Sequence, residues 1–185
     1  ELLPRHELAR LGGLRVMAIS LVSQAHAADI SGRFVEARDL YWRAFEAGER
    51  FDHATTLNAL FVFFDSTDPG VSAGHGLPPS EVDAAREHFR LMLNHLENLG
   101  HPDDAEVWRW WIGRLGMDAS HLLATEALVG MAQRGSREAA WLLATDGNRT
   151  PEVVTFAANL RTELETEKTF RSAYVLHMLK DFQPA

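Results

Sequence analysis

The sequence predicts an all-α fold of about eight or nine helices, arranged as stacked antiparallel pairs. Two observations lead to this prediction. Apolar residues recur with helical spacing along most of the chain, and glycines, prolines and capping residues divide that pattern into segments of helix length. The small and aromatic positions of one helix also recur in a later segment, which is typical of a repeated structural unit.

Length and composition favour a single folded domain over residues 1–185. The 185 residues are 46% hydrophobic and 24% charged, which is typical of a globular chain and unlike a disordered one. A chain of this length suits one domain with a substantial core. Because it starts at Glu1 rather than at methionine, we keep open that it was processed or excised from a longer chain.

The charge balance and the lack of cysteine argue against several classes of function. Eighteen basic and 26 acidic residues give a net charge of -8, and no basic stripe is present, so we expect no nucleic-acid partner. Without cysteine there is no disulfide framework or thiol chemistry, which favours a reducing cytoplasm. No apolar run approaches the roughly 18 residues of a membrane-spanning helix, so we expect no membrane association.

The first two helices are predicted on either side of Gly32. Residues 7–30 form the first helical region, interrupted near a pair of glycines. Its segment 14–27 has the small-x-small ending of a signal peptide, but two serines interrupt the apolar run and favour a helix. The second helix lies between the glycine stops Gly32 and Gly48.

One face of the second helix is predicted to pack closely against a neighbouring helix. Side chains spaced i, i+3, i+4 and i+7 share this face, namely Ala37, Leu40, Tyr41 and Ala44. The two alanines let another helix approach closely, and Tyr41 supplies bulk that fills a groove on that helix. We therefore expect Tyr41 to be buried between helices.

The third helix is predicted over residues 52–64, and a long loop over residues 65–80 follows it. This helix is apolar on nearly all sides, so we expect it at the centre of the core. The loop contains three prolines and three glycines and shows little periodicity. Two interpretations of it remain open, a binding element and a surface linker.

Capping signals divide the remainder of the chain into further helices. Ser80 is predicted to open an approximate capping box for a helix that ends before Gly100. The next helices are predicted over residues 102–116, 118–134 and 136–147. Thr150 as a cap and Pro151 behind it start the C-terminal region, which either breaks near Glu165 or forms one long helix.

The segment between Gly32 and Gly48 resembles the second helix of a tetratricopeptide repeat (TPR). That consensus carries glycine, an aromatic residue, alanine, a second aromatic residue and a second alanine, and the five matching residues here are Gly32, Phe34, Ala37, Tyr41 and Ala44. The phrase LYWRAFEAG followed by Ala54 is also similar to the related Sel1-like repeat. The two families remain alternatives. The proline that usually follows the helix is absent here.

Weaker echoes of this repeat follow later in the chain. Ala85, Phe89 and Met92 reproduce the spacing of Ala37, Tyr41 and Ala44 with an offset of 48, as if a repeat of about 34 residues carried an insertion. The pairs starting at Asp104 and Glu138 lie 68 and 102 residues after the pair starting at Glu36, which are multiples of 34. The repeat register after residue 100 stays open.

The resemblance implies a right-handed α-solenoid, TPR-like or Sel1-like, whose concave face is the working surface. In such arrays the first helix of each pair lines that face. The resemblance therefore nominates His26 and Asp29 in the first pair, and Asn58 in the second pair, as residues that contact a partner.

A cluster of tryptophans supplies two further candidate contact residues. Trp108 and Trp111 share a face with apolar neighbours and are expected in the core. Trp110 and Arg114 point away from that face, and tryptophan with arginine is typical of interaction hot spots. Packing against the next repeat is the alternative explanation for Trp110.

Signals for metal binding or catalysis are weak. His88 and His95 share a helix face, but two turns, about 10 Å, separate them, which is too far for two ligands of one ion. Two closer pairs lack a third ligand in sequence: Asp118 with His121, and Glu49 with His53. No phosphate loop, nucleophile elbow or HExxH motif is present. We therefore expect no metal, no cofactor and no enzymatic activity.

The sequence as a whole favours a protein- or peptide-binding scaffold or adaptor that uses the concave face of a helical-repeat array. The alternative is a ligand- or peptide-sensing regulatory domain of a larger protein. The predicted partner is a protein or peptide, with self-association as a further option.

Overall fold

The protein is all-helical throughout the part described by the computed structural model, residues 21–48, 51–67, 79–114, 124–145, 150–167 and 169–180. These ranges contain nine helices and no strand, so the all-α prediction is confirmed for them. Of the first helix, α1, residues 21–30 are described. The others are α2 (Phe34–Glu46), α3 (His53–Thr67), α4 (Pro79–Asn98), α5 (Pro102–Arg114), α6 (Thr125–Gln133), α7 (Arg137–Thr145), α8 (Pro151–Leu164) and α9 (Phe170–Leu179).

The chain divides into two compact units, with the boundary inside α4 between His88 and Phe89. We call residues 1–88 unit 1 and residues 89–185 unit 2. The single domain over residues 1–185 stays a prediction. Within the described ranges, every helix falls short of the combination of length and hydropathy that crossing a membrane requires.

Glycines end helices where the sequence predicts stops. Gly32 and Gly48 flank α2 with φ angles of 73° and 82°, in the left-handed region that only glycine adopts without strain. Gly100 repeats this conformation immediately after α4, with a φ angle of 88°. The predicted glycine-to-glycine extent of the second helix is therefore confirmed.

Three predicted helix limits differ from the structure. The third helix continues to Thr67, because each added residue of a formed helix gains a hydrogen bond even where the side chains are polar. The fourth helix starts at Pro79, which suits a first helical position because proline has no N–H to leave unpaired, so Ser80 is not the cap. Ala124 is extended directly before α6, so no continuous helix runs from Asp118 to Arg134. Residues 68–78 of the predicted loop, and 115–123, lie outside the described part.

The C-terminal region is broken near Glu165, which was one of the two predicted outcomes. Thr150 caps α8 by accepting a hydrogen bond from the backbone N–H of Val153, and Pro151 occupies the first helical position. Glu165 ends α8. A reciprocal capping box between Thr169 and Ser172 then starts α9, so the region forms two helices.

The core of unit 1 forms around α3, which packs against α2. All residues of α3 from Thr56 to Phe63 are buried, which confirms the predicted central position of this helix. The predicted packing face of α2 is buried as well: Ala37, Leu40, Tyr41 and Ala44. In α1, the small side chains Ala25 and Ala28 have no exposed surface, and they let the helices approach closely.

The core of unit 2 forms around α7. This helix packs against α6 and α8, its neighbours in sequence, and also against α5 and α9. As a result, every residue of α7 from Glu138 to Ala144 is buried. A nine-residue helix enclosed in this way exposes little surface along its middle, so most of the accessible surface of unit 2 lies on the helices around it.

Candidate functional site

In unit 1, three of the five predicted contact residues surround Tyr41 of α2. The His26 ring from α1 meets the Tyr41 ring edge to face, with centroids 5.7 Å apart and planes at 61°. The side-chain amide of Asn58 in α3 donates a hydrogen bond to the Tyr41 hydroxyl. Asp29 in α1 is close enough for its charge to act on that hydroxyl. Three helices thus meet at one buried polar cluster.

The electrostatic environment of this cluster keeps the Tyr41 hydroxyl protonated and therefore uncharged. Burial raises the pKa of the Tyr41 hydroxyl far above its usual range, the negative charge of Asp29 raises it further, and the bond from Asn58 opposes the shift. Burial also lowers the pKa of His26, against a smaller opposing effect of Asp52. Tyr41 therefore works as a neutral hydrogen-bonding side chain over the ordinary pH range.

Burial decides what these predicted contact residues can do. Asp29 has no exposed surface and Asn58 is 1% exposed, whereas His26 is half-buried. A partner on the surface of this conformation could not touch Asp29 or Asn58, because neighbouring helices already cover both. In this conformation, Asn58 joins α3 to α2 through its hydrogen bond to Tyr41, and Asp29 of α1 acts on the same hydroxyl through its charge.

A second contact in unit 1 joins α2 to the first half of α4. The Trp42 and His88 rings stack with centroids 3.5 Å apart and planes at 13°, and Phe63 of α3 meets His88 edge to face at 5.7 Å. Trp42 also stacks with Phe45, with ring centroids 5.6 Å apart. His88, considered above as a metal-ligand candidate, is thus part of an aromatic stack.

Burial in this stack lowers the pKa of His88. The acidic Glu46, Asp39 and Glu87 oppose the shift, and Arg38 supports it. A histidine with a lowered folded pKa adds stability that is fully present above its ordinary value of 6.5 and is lost as the pH falls through the folded value. We expect the wild type to lose more unfolding free energy between pH 7.5 and 5.5 than His88→Phe, which keeps a stacking ring but cannot be protonated.

Urea unfolding followed by circular dichroism at both pH values measures this difference. His177→Phe makes the same change at an exposed position on α9 and controls for the added phenyl ring. If His88→Phe loses as much stability as the wild type on acidification, the stack does not resist protonation of His88.

In unit 2, buried polar side chains at the starts of α5, α7 and α9 bond to one another. The Asp104 carboxylate accepts a hydrogen bond from the Ser136 hydroxyl at 2.5 Å and from the Glu138 backbone N–H at 3.1 Å. Ser136 in turn caps α7 by accepting from the Ala139 N–H at 3.1 Å. Arg171 of α9 donates to the Glu138 carboxylate. All four bonded side chains, those of Asp104, Ser136, Glu138 and Arg171, are buried.

We call Asp104, Ser136, Glu138 and Arg171 the polar ladder. Burial raises the pKa of the Glu138 carboxyl, and the Arg171 guanidinium opposes this shift. The Asp104 carboxylate lies at the N-terminus of α7, where the helix dipole favours a negative charge. The spacing of Asp104 and Glu138 was visible in the sequence, but their bond was not, because it depends on how α5 and α7 pack.

The predicted contact residue Trp110 belongs to a row of aromatic rings across α5, α7 and α9. Trp110 meets Trp111 edge to face at 5.4 Å, Trp111 stacks with Trp141 at 5.9 Å, and Trp141 meets Tyr174 edge to face at 6.5 Å. Trp110 and Trp111 are half-buried, Trp141 is buried, and Tyr174 is 41% exposed. The expected core position of Trp108 is confirmed, since it is 1% exposed.

Sequence reasoning missed Tyr174 and Met178, which are exposed on α9 near the end of this row. We call Trp110, Trp111, Trp141 and Tyr174 the aromatic row. Tyr174 follows Trp141 by 33 residues, a spacing close to the repeat period, and this was the available signal. Arg114 is the last residue of α5, and its side chain lies outside the described part.

The described part therefore defines an all-helical protein with two buried polar clusters that join helices and one aromatic row that reaches the surface. Comparison with known proteins finds no matching family model, no matching curated protein and no matching solved structure. Functional inference for this chain thus depends on its own residues.

Proposed function

We propose that this chain is a protein- or peptide-binding scaffold built as an array of TPR-like or Sel1-like helix pairs, in which α1, α3, α5, α7 and α9 are the first helices. The polar ladder supports the array. Its bonds join helix starts at nearly constant sequence spacing, since Asp104 and Glu138 lie 34 residues apart and Glu138 and Arg171 lie 33 apart. The contacts of α7 with α5 and α9 are those expected between successive first helices of an α-solenoid.

The observation that carries the binding function is the aromatic row with its exposed end. Large aromatic side chains that are partly buried and partly accessible are enriched at interaction hot spots. Trp110 and Tyr174 offer such surfaces at the two ends of the row, and Met178 lies one turn beyond Tyr174 on α9. Because α7 is covered, a partner would contact α5 and α9 rather than lie along the whole array.

Binding rather than catalysis is proposed because the hydrogen bonds of both clusters join helices to one another. We also propose that the protein works in a reducing compartment such as the cytoplasm, where a chain without cysteine needs no disulfide for stability. The partner class follows from the surface: a protein or peptide with apolar side chains that pack on aromatic rings.

A peptide selection tests this function. The full chain is presented to a random peptide library, and the dissociation constant of an enriched peptide is measured by fluorescence anisotropy. We expect Tyr174→Ala to weaken binding by about tenfold or more, as hot-spot truncations do. Leu99→Ala, at a similarly exposed apolar position of unit 2, is the matched control and should bind like the wild type. Unchanged binding by Tyr174→Ala, or no enriched peptide, would contradict the proposal.

A further inference from the structure

A small cleft lies between α7 and α8, on a different part of unit 2 from the aromatic row. It has a volume of about 100 Å³. Ala140 and Leu160 give it an apolar floor, and Phe156 adds an aromatic wall. Its polar lining residues are Arg137, Asn159 and Glu163. The combination of an apolar floor and convergent polar groups is typical of a binding site.

The Arg137 guanidinium is only partly engaged by the protein. Its side chain is 10% exposed, and its Nη2 donates a hydrogen bond to Glu167 at 2.6 Å. Its Nε lies 3.3 Å from the Glu163 carboxylate but makes no hydrogen bond within the described part. A buried donor without an acceptor costs free energy, so an oxygen acceptor brought into the cleft would be favoured.

The rim of the cleft offers the complementary groups. The Glu163 side chain is 56% exposed, so its carboxylate can still accept hydrogen bonds from outside the protein. The exposed Asn159 amide can both donate and accept. A peptide group carries one N–H donor and one C=O acceptor, which matches this set of an acceptor at Glu163 and donors at Arg137 and Asn159.

The size and charge of the cleft limit the class of ligand that it can bind. Pockets for drug-sized molecules have volumes of roughly 300–1,000 Å³, so this cleft suits one side chain rather than a whole ligand of that size. Its apolar floor favours an aliphatic side chain. The exposed carboxylate of Glu163, in a chain with a net charge of -8, favours a positive charge beside that side chain.

We propose that the cleft between α7 and α8 binds a short peptide segment with two adjoining features. An aliphatic side chain inserts against Ala140 and Leu160, and a basic residue lies beside Glu163. The peptide backbone accepts a hydrogen bond from the Arg137 guanidinium and exchanges hydrogen bonds with Asn159. This inference rests on the proposed peptide-binding function, but it assigns a second surface with its own specificity.

Capped dipeptides test the proposal directly. The full chain, labelled with nitrogen-15, is titrated with N-acetyl-leucyl-arginine amide while amide resonances are followed by NMR. We expect saturable shifts centred on the amides of Gly135, Ala140 and Asn159. Replacing leucine by glycine, or arginine by glutamate, is expected to weaken binding by about tenfold or more, because burial of the side chain or charge attraction is lost.

A pair of protein variants separates the rim charge from the overall charge. Glu163→Gln is expected to weaken binding of the leucyl-arginine probe by about threefold, as for the loss of an exposed ion pair. The same variant should bind an uncharged probe, with glutamine in place of arginine, as the wild type does. Glu165→Gln removes the same charge two residues away, at an exposed position that does not line the cleft, and should bind like the wild type. Equal effects of both variants would show that only net charge matters and would overturn the proposal.

The outcomes also distinguish this inference from the proposed function. Shifts confined to the amides around Trp110 and Tyr174, or no saturable shift at the cleft, overturn the cleft assignment and leave the aromatic row untouched. The converse result is that Tyr174→Ala binds the selected peptide like the wild type while the dipeptide still gives saturable shifts at the cleft. That result refutes only the role of the aromatic row.

Discussion

Replacing Tyr41 by alanine is expected to lower the free energy of unfolding by about 3 to 5 kcal/mol, the range for aromatic truncations in protein cores. Tyr41 is fully buried, and its ring contacts His26 at 5.7 Å and Phe51 at 6.2 Å. Its removal opens a cavity where α1, α2 and α3 meet. It also takes away the acceptor for Asn58, which would be left buried without its partner. Urea unfolding followed by circular dichroism measures the loss.

Tyr41→Phe is the matched control, because it keeps the ring and removes only the hydroxyl. Its expected cost is about 1 to 3 kcal/mol, the penalty for leaving a buried polar group such as Asn58 unsatisfied. A loss below about 1.5 kcal/mol for Tyr41→Ala would show that the three helices do not close tightly on this ring.

Breaking the ion pair between Glu138 and Arg171 is expected to have an effect of similar size. Both side chains are buried, at 0% and 1% exposure. Glu138→Leu leaves the arginine, which keeps its charge at any ordinary pH, without a counter-ion inside the protein. The expected loss is about 3 to 5 kcal/mol, as for other buried pairs from which one partner is removed, and denaturant unfolding measures it.

The double variant Glu138→Leu/Arg171→Met separates the charge effect from packing. It removes both charges and should fall within about 2 kcal/mol of the wild type, so the two single losses should be far from additive. Glu97→Gln tests an exposed pair in the same unit, with Arg109, and should cost less than about 1 kcal/mol. A small loss for Glu138→Leu alone would mean that Arg171 reaches water or another acceptor.

Local signals in the sequence predicted the helix ends well. Gly32 and Gly48 mark the ends of α2 because their backbone conformation is accessible to few other residues. Thr150 and Pro151 mark the start of α8 for equally local reasons, a side-chain acceptor and a missing N–H. The start of α6 was misplaced because Asp118, a good capping residue type, carries no information about where the backbone leaves an extended conformation.

Contacts between helices were much harder to predict than helices. Asn58 was nominated as an accessible residue by its place in a repeat, although its helix is apolar on nearly all sides, a pattern that already indicated burial. The partner of Glu138 is Arg171, 33 residues later in the sequence, and a whole helix, α8, lies between the two in the chain. The aromatic row joins rings from three helices, and only packing brings them together.

The enclosed position of α7 limits how far this protein can be shortened. In an ideal repeat array each unit touches only its neighbours, so a terminal helix pair can be deleted with a local loss of stability. Here the deletion of α9 would uncover Trp141 and leave the Glu138 carboxyl in place without the guanidinium of Arg171. Truncation at this end would therefore destabilise the core of unit 2 and not only its surface. For engineering and for evolution, α5 to α9 consequently have to be kept together.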